Sequence, residues 1–371
     1  MRYQLPLWAG VFAVLCLCSC SGSENPVNPT VLISLDAPDY FPASKALPAD
    51  NPLTEEGVHL GRMLFYEKQL SADGSISCGS CHQQQKAFTD GLQFSKGVNE
   101  AMGHKNAMSL SNLHWSGKFF WDGRSGSLEE QSLEPIQESF EMNLSLAEAV
   151  ERLQQDEKYP ALFEAAFGTN EVNAERIGKA LAQFERTLIS ANSKFDRWIK
   201  NEVKLTPEEQ LGLELFFTHP EPSIQLRGGN CSDCHLGFLT AGDSEGFMGF
   251  HNNGLDIDEN LDPGLFEVTK NPFDQGKFKA PSLRNIGLTA PYMHDGRFAS
   301  LEEVLDHYNE HIQNSQTLDV LILEASNEQI NPTAPIKLHL AQKEKEAIIA
   351  FLHTLTDQQF ITNEKFSDPF N

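Results

Sequence analysis

Positive charge is what this chain has least of. Against 52 Asp and Glu it carries 28 Lys and Arg, a formal net charge of −24 over 371 residues. Such a balance excludes a nucleic-acid partner, whose phosphates it would repel. It favours basic or locally basic protein partners, through an encounter that salt weakens. Long apolar runs are missing too. The one continuous stretch, "LPLWAGVFAVLCLC" behind Arg2, is too short to span a membrane and has the shape of a signal h-region. Cysteine is scarce: seven in all, of which 16, 18 and 20 belong to that leader, leaving Cys78, Cys81, Cys231 and Cys234.

The leader closes on "LCSC", Leu17 to Cys20, followed by the polar "SGSENPVNP". This resembles a bacterial lipoprotein cleavage box, with Cys20 becoming the lipidated first residue; an ordinary secretory cut nearby is the alternative. Residues 1–19 are thus expected as a signal peptide and 20–50, rich in Pro, Ser, Asn and Ala, as a flexible tether. The mature chain is exported, and the expected location is the periplasmic side of the cell envelope, held there by a lipid anchor. What remains is long enough for two domains with real cores.

In an exported protein the four remaining cysteines could form a structural disulfide. However, "SCGSCH" (77–82) and "NCSDCH" (230–235) each place a histidine directly after Cys-x-x-Cys. That is the attachment signature of c-type haem: two thioethers clamp the porphyrin vinyl groups while the next residue delivers an imidazole to iron from the same turn. A shared zinc site would need the pairs far closer in sequence. A redox pair would need neither His82 nor His235, nor a second copy.

The duplication extends upstream. "HLGRMLFYEKQLSADGSISCGSCH" (59–82) parallels "QLGLELFFTHPEPSIQLRGGNCSDCH" (210–235). Thr206-Pro207-Glu208-Glu209 supplies an N-cap, a proline at the first helical position and a capping glutamate; Thr54-Glu55-Glu56 opens the first copy similarly. The spacing of Leu146, Val150 and Leu153, of Ile177, Leu181, Phe184 and Leu188, and of Ile348, Ile349, Phe351, Leu352 and Leu355 predicts further helices. The expected fold is mainly α, two cytochrome c-like haem domains with long loops, over 51–200 and 201–371.

Function then depends on the sixth ligand of each iron, because a closed iron moves electrons and an open one binds peroxide. In the second half Met248, His251, Met293, His294 and Tyr308 all qualify. Ser300-Leu301-Glu302-Glu303 reads as a capping box, and Leu301, Val304, Leu305 and Tyr308 then share one helix face, which suits either a haem ligand or a core tyrosine.

From about residue 50 to its end the chain resembles the bacterial di-haem cytochrome c peroxidases and their MauG-like relatives. Besides the two anchors, "FFWDGRSGSLEEQSLEPIQESFEMN" (119–143) and "KAPSLRNIGLTAPYMHDGRFASLEEVLDHY" (279–308) carry the resemblance. It implies a peroxidatic N-terminal haem on His82 and an electron-transfer C-terminal haem on His235. It further implies an inter-haem tryptophan at Trp121, a distal-pocket pair at Gln131 and Glu141 with Pro135 beside them, and a calcium ion at Asn106, Thr289 and Pro291, the last through its carbonyl. Tyr308 stands where standard peroxidases have methionine and MauG-like proteins have tyrosine. Val98 stands where many peroxidases have a histidine that shuts the first iron; His104 and Lys105 read as loop residues, and the first iron is expected to be permanently open.

The implied activity is reduction of hydrogen peroxide with electrons from an exported cytochrome or similar donor. The alternative is MauG-like oxidation of a protein or other substrate by long-range electron removal. A plain electron carrier is disfavoured by Gln131 and Glu141. The resemblance implies a homodimer for a peroxidase and a monomer for MauG.

Overall fold

A computed structural model describes residues 31–239, 241–242, 248–331 and 333–370. The leader and Cys20 lie outside the described residues. Among those described, no helix is long and apolar enough to cross a membrane. The longer helices are α1 (Glu55–Tyr66), α2 (Leu146–Gln155), α3 (Tyr159–Phe167), α4 (Ala174–Arg186), α5 (Lys194–Ile199), α6 (Pro207–Phe216), α7 (Leu301–Glu310) and α8 (Gln342–His353). The described sheet is one antiparallel pair, β1 (Phe250–His251) against β2 (Phe278–Lys279). The chain is therefore mostly helical with little strand.

Local chemistry sets the helix starts. Thr54 accepts from the Gly57 N–H to open α1, and Thr206 with Glu209 forms a reciprocal capping box ahead of Pro207 in α6. At α7 the expected box is incomplete. Ser300 does accept from the Glu303 N–H, but the Glu303 carboxylate turns back to the Ala299 N–H instead, one residue earlier.

Two helix crossings build two cores. α1 lies on α4 at Gly61, where an added Cβ would sit 1.9 Å from the Ala180 carbonyl oxygen and 2.9 Å from the Phe184 Cβ. α6 lies on α8 at Gly212, where a Cβ would sit 1.8 Å from the Ala347 carbonyl oxygen and 2.9 Å from the Phe351 Cβ. Glycine lets the backbones touch, and the leucines and phenylalanines on either side, Leu60, Leu64 and Phe65 in one copy and Leu213, Leu215 and Phe216 in the other, fill the two cores.

Three segments cross the divisions expected from sequence. Phe195 of α5 packs in the second core, edge-on to Phe351 at 5.4 Å. Phe360 and Phe366, near the C-terminus, pack in the first. There Tyr66 donates its hydroxyl to the Phe366 carbonyl and Gln84 donates to those of Phe360 and Asn363. Residues 31–50, expected within the tether, lie against the body: Phe41 is buried edge-on to Trp115, Trp115 Nε1 donates to the Pro42 carbonyl, and the Tyr40 hydroxyl reaches Asp196. Asp196 is itself locked to fully buried Arg284.

Candidate active site

Each Cys-x-x-Cys-His folds into one turn that brings its side chains together. The His82 N–H bonds back to the Cys78 carbonyl and the His235 N–H to the Cys231 carbonyl, both at 2.9 Å. Each imidazole is then oriented through its Nδ1, His82 on the Phe88 carbonyl at 2.8 Å and His235 on the Pro281 carbonyl at 3.0 Å. With Nδ1 donating, Nε2 is the nitrogen left to ligate a metal. None of the four cysteines is disulfide-paired. Burial pushes their thiols up, to about 11 for Cys81 and about 12 for Cys231 and Cys234, so they are protonated and unreactive as free thiols. Among the described residues no three His, Cys, Asp or Glu side chains converge as a metal-ion cage, which leaves the zinc alternative without support.

Around the second anchor opens a cavity of about 700 Å³, lined by Cys231, Cys234, His235, Met293 and Tyr308 and reaching across to Asn106 and Trp121 of the first half. Its size and largely apolar wall suit a porphyrin. The sixth-ligand candidates His251, Met293, His294 and Tyr308 all line this cavity and differ in their partners. Met248 is 78% exposed. His251 is held by Asp319 at 2.7 Å. His294 stacks flat on Phe278, 3.6 Å between centroids. Tyr308 and Met293 both line the cavity, and the Asn253 amide touches both, 3.1 Å from the Tyr308 hydroxyl and 3.4 Å from the Met293 sulfur. Burial holds the Tyr308 phenol well above its ordinary pKa.

Near the first anchor the distal candidates have the surroundings a catalytic pocket needs. Gln131, at the end of the short helix Leu128–Gln131, buries an Oε1 with no hydrogen-bond partner among the described residues. An orphaned buried acceptor is costly unless a ligand satisfies it. Glu141 sits in the turn after Glu134–Gln137, and burial, reinforced by the charge of Glu138, pushes its carboxyl up to about 7. Val98 is buried with its N–H on the Glu141 carbonyl, and His104 lies exposed against the Phe140 ring. Lys105 forms an ion pair with Asp262.

Asn106, Thr289 and Pro291 line the same cavity. The Asn106 amide donates to the Leu92 carbonyl at 2.9 Å, leaving its Oδ1 as acceptor, so the donors there are uncharged oxygens that fit a hard cation. Trp121 donates its indole N–H to the Asn106 carbonyl at 2.8 Å, tying the tryptophan to that position.

One relation was not drawn from the sequence. The segment from Lys105 to Pro135 repeats, in a single unbroken register, as Phe278 to Tyr308. "DGRSGSLEE" and "DGRFASLEE" lie within it, and so do matching left-handed residues: Asn112 and Asn285, Phe120 and Met293, Gly123 and Gly296. Matching loop closures, Phe119 with Ser125 and Tyr292 with Phe298, complete the likeness. The copies also pair reciprocally, since the Asn106 N–H donates to the His294 carbonyl and the Lys279 N–H to the Trp121 carbonyl. In this register Pro135 is the mate of Tyr308, and a proline offers iron nothing.

Comparison with known proteins agrees with this architecture. Residues 55–204 match the family model for di-haem cytochrome c peroxidase. The chain is 34% identical over 370 residues to the methylamine utilization protein MauG of Methylorubrum extorquens, covering 96% of each chain. It is 33% identical over 338 residues to the cytochrome c551 peroxidase of Nitrosomonas europaea, covering 88% of this chain and 91% of that one. Among solved structures it resembles a MauG-like protein associated with microbial copper homeostasis, with 36% identity, a TM-score of 0.79, and 91% of this chain and all of that one covered.

Proposed function

The chain belongs to the di-haem cytochrome c peroxidase and MauG family, so it is a two-haem oxidoreductase, and from that premise we propose how its two halves divide the work. The reaction is reduction of hydrogen peroxide to water with electrons from an exported cytochrome or similar donor. Two covalently held haems would supply the iron chemistry, peroxide activation at one and electron relay at the other. Cys78 and Cys81 would hold the first haem and His82 would ligate its iron; Cys231 and Cys234 would hold the second, with His235 and Tyr308 as its ligands.

The observation that carries the division is the pairing of Pro135 with Tyr308 in the internal register. The same helical position offers a ligand in the second half and none in the first. Val98, buried and bonded through its backbone, supports an open first site as well.

Glu141 then takes the proton from the inner peroxide oxygen and returns it to the outer one, which leaves as water. A carboxyl raised to about 7 is matched to both tasks near neutral pH. The Gln131 amide orients the peroxide, and its unpartnered oxygen accepts a proton-bearing ligand atom. Pro135 limits the space beside them. Trp121, lining the cavity and fixed to Asn106, joins the two sites for electron passage. Asn106, Thr289 and the Pro291 carbonyl would hold calcium at this seam. Export by the leader and lipidation at Cys20 place the enzyme on the periplasmic side of the envelope.

Glu141→Gln tests the reading. Peroxide cleavage should slow by about 10²- to 10⁴-fold while both haem spectra stay as they were; full-rate turnover would refute the role. Paramagnetic resonance of the resting ferric protein should show one high-spin and one low-spin haem. Two fully ligated irons would refute the division.

Tyr308 favours a second reading. An anionic oxygen ligand stabilises ferric iron and suits sharing oxidising equivalents, as the MauG-like alternative requires. Failure with every cytochrome donor, together with a stable doubly oxidised state, would select that reading.

A further inference from the structure

The seam between the two halves has polar residues at two pseudo-equivalent places. One set is Asn106, Thr289 and the Pro291 carbonyl, proposed above to hold calcium, all three lining the cavity. Carried through the internal register, these three positions become Lys279, Ser116 and Lys118. They also come together: Lys279 Nζ donates to the Ser116 Oγ at 2.5 Å and to the Lys118 carbonyl at 2.7 Å. A hydroxyl-bearing side chain and a backbone carbonyl, two residues apart, thus recur in both sets, and in one of them the cation is visible.

Lys279 is only 8% exposed, with its ammonium 5.7 Å from the Phe119 ring. Among the described residues no carboxylate pairs with it. Burial, with repulsion from Lys45, draws its pKa down to about 7. An asparagine at such a place leaves a gap that an ion must fill; a lysine brings its own cation on a four-carbon stem.

We propose, building on calcium binding at Asn106, that the Lys279 ammonium is a tethered cation occupying the pseudo-equivalent of the calcium position. The inter-haem seam is then closed on one side by a removable divalent ion and on the other by a charge that belongs to the chain. The backbone links this second cation directly to the electron path, through the Lys279 N–H on the Trp121 carbonyl at 2.9 Å. Chelation therefore loosens the Asn106 side alone.

The test is calcium stoichiometry in Lys279→Asn, which places an asparagine at the second position. The di-haem protein is stripped with chelator, dialysed and titrated with calcium, with metal content measured independently by mass spectrometry. The variant should bind one more calcium per chain than the wild type. No gain would overturn the assignment of Lys279. The wild-type count is a separate readout: zero there would refute calcium at Asn106, and a gain in the variant would still support the tethered cation. Asn106→Lys provides the converse measurement. It should bind one calcium fewer than the wild type and melt at a temperature that chelator no longer changes, whereas undiminished calcium binding would count against the equivalence of the two sets.

Discussion

Two buried glutamates of the first half have raised pKa values for the same reason, desolvation, and report on different things. For Glu141 the consequence is kinetic. The carboxyl must be ionised to take the first proton, so the rate of peroxide cleavage should rise with pH through about 7, and Glu141→Gln should flatten that profile in stopped-flow measurements. For Glu185 the consequence is thermodynamic. Burial raises it from 4.5 to about 8, and its Oε2 has no partner among the described residues. The folded chain holds this proton more tightly than the unfolded one. Its contribution is therefore whole below about pH 4.5 and is lost as pH climbs through about 8. Glu185→Gln should remove that part of the decline in melting temperature and raise the midpoint at pH 8. Tyr308→Met should raise the reduction potential of the second haem in a redox titration, because thioether sulfur favours ferrous iron where phenolate favours ferric. The four cysteines and two histidines were legible from spacing alone, since one helical turn needs no tertiary information to bring them together. The raised proton affinity of Glu141 was not, because desolvation is a property of what packs around a side chain. The motif gave its position; only the fold gives its proton affinity.

At the scale of elements, the two glycine crossings carry the clearest expectation. Gly61→Ala would drive a methyl group into the Ala180 carbonyl and separate α1 from α4; Gly212→Ala would do the same to α6 and α8. Each should cost about 1–3 kcal/mol or more in denaturant unfolding of the holoprotein. Each should also perturb the spectrum of its own half's haem first. The sequence made the paired Leu-Gly…Leu-Phe helices evident through caps and periodicity. It did not show what the glycines were for, because the partner carbonyls lie more than a hundred residues away. The longer repeat joining Lys105–Pro135 to Phe278–Tyr308 was present in the letters throughout, in "DGRSGSLEE" and "DGRFASLEE". What hides it is divergence at the positions that matter: Asn106 against Lys279, Trp121 against His294, Pro135 against Tyr308. The shared left-handed turns make the equivalence unmistakable, since side-chain chemistry has changed while backbone requirements have not.

At the scale of the whole molecule, the net charge of −24 selects donors by sign. The second-order rate with a cationic donor should fall roughly tenfold or more as ionic strength rises from about 0.01 to 0.2 M, while a neutral small-molecule donor should show little change. Composition and the two anchors revealed the mainly helical, two-haem plan, and the comparisons support it. The interleaving of the cores was invisible to a linear reading, because exchange of terminal segments leaves no local pattern. It bears on how the molecule is made. Phe360 and Phe366 belong to the core against which Cys78 packs, so the packing of the first half is complete only once those two residues are in place. The first Cys-x-x-Cys-His therefore stays less enclosed in a growing chain until Phe360 and Phe366 have been made.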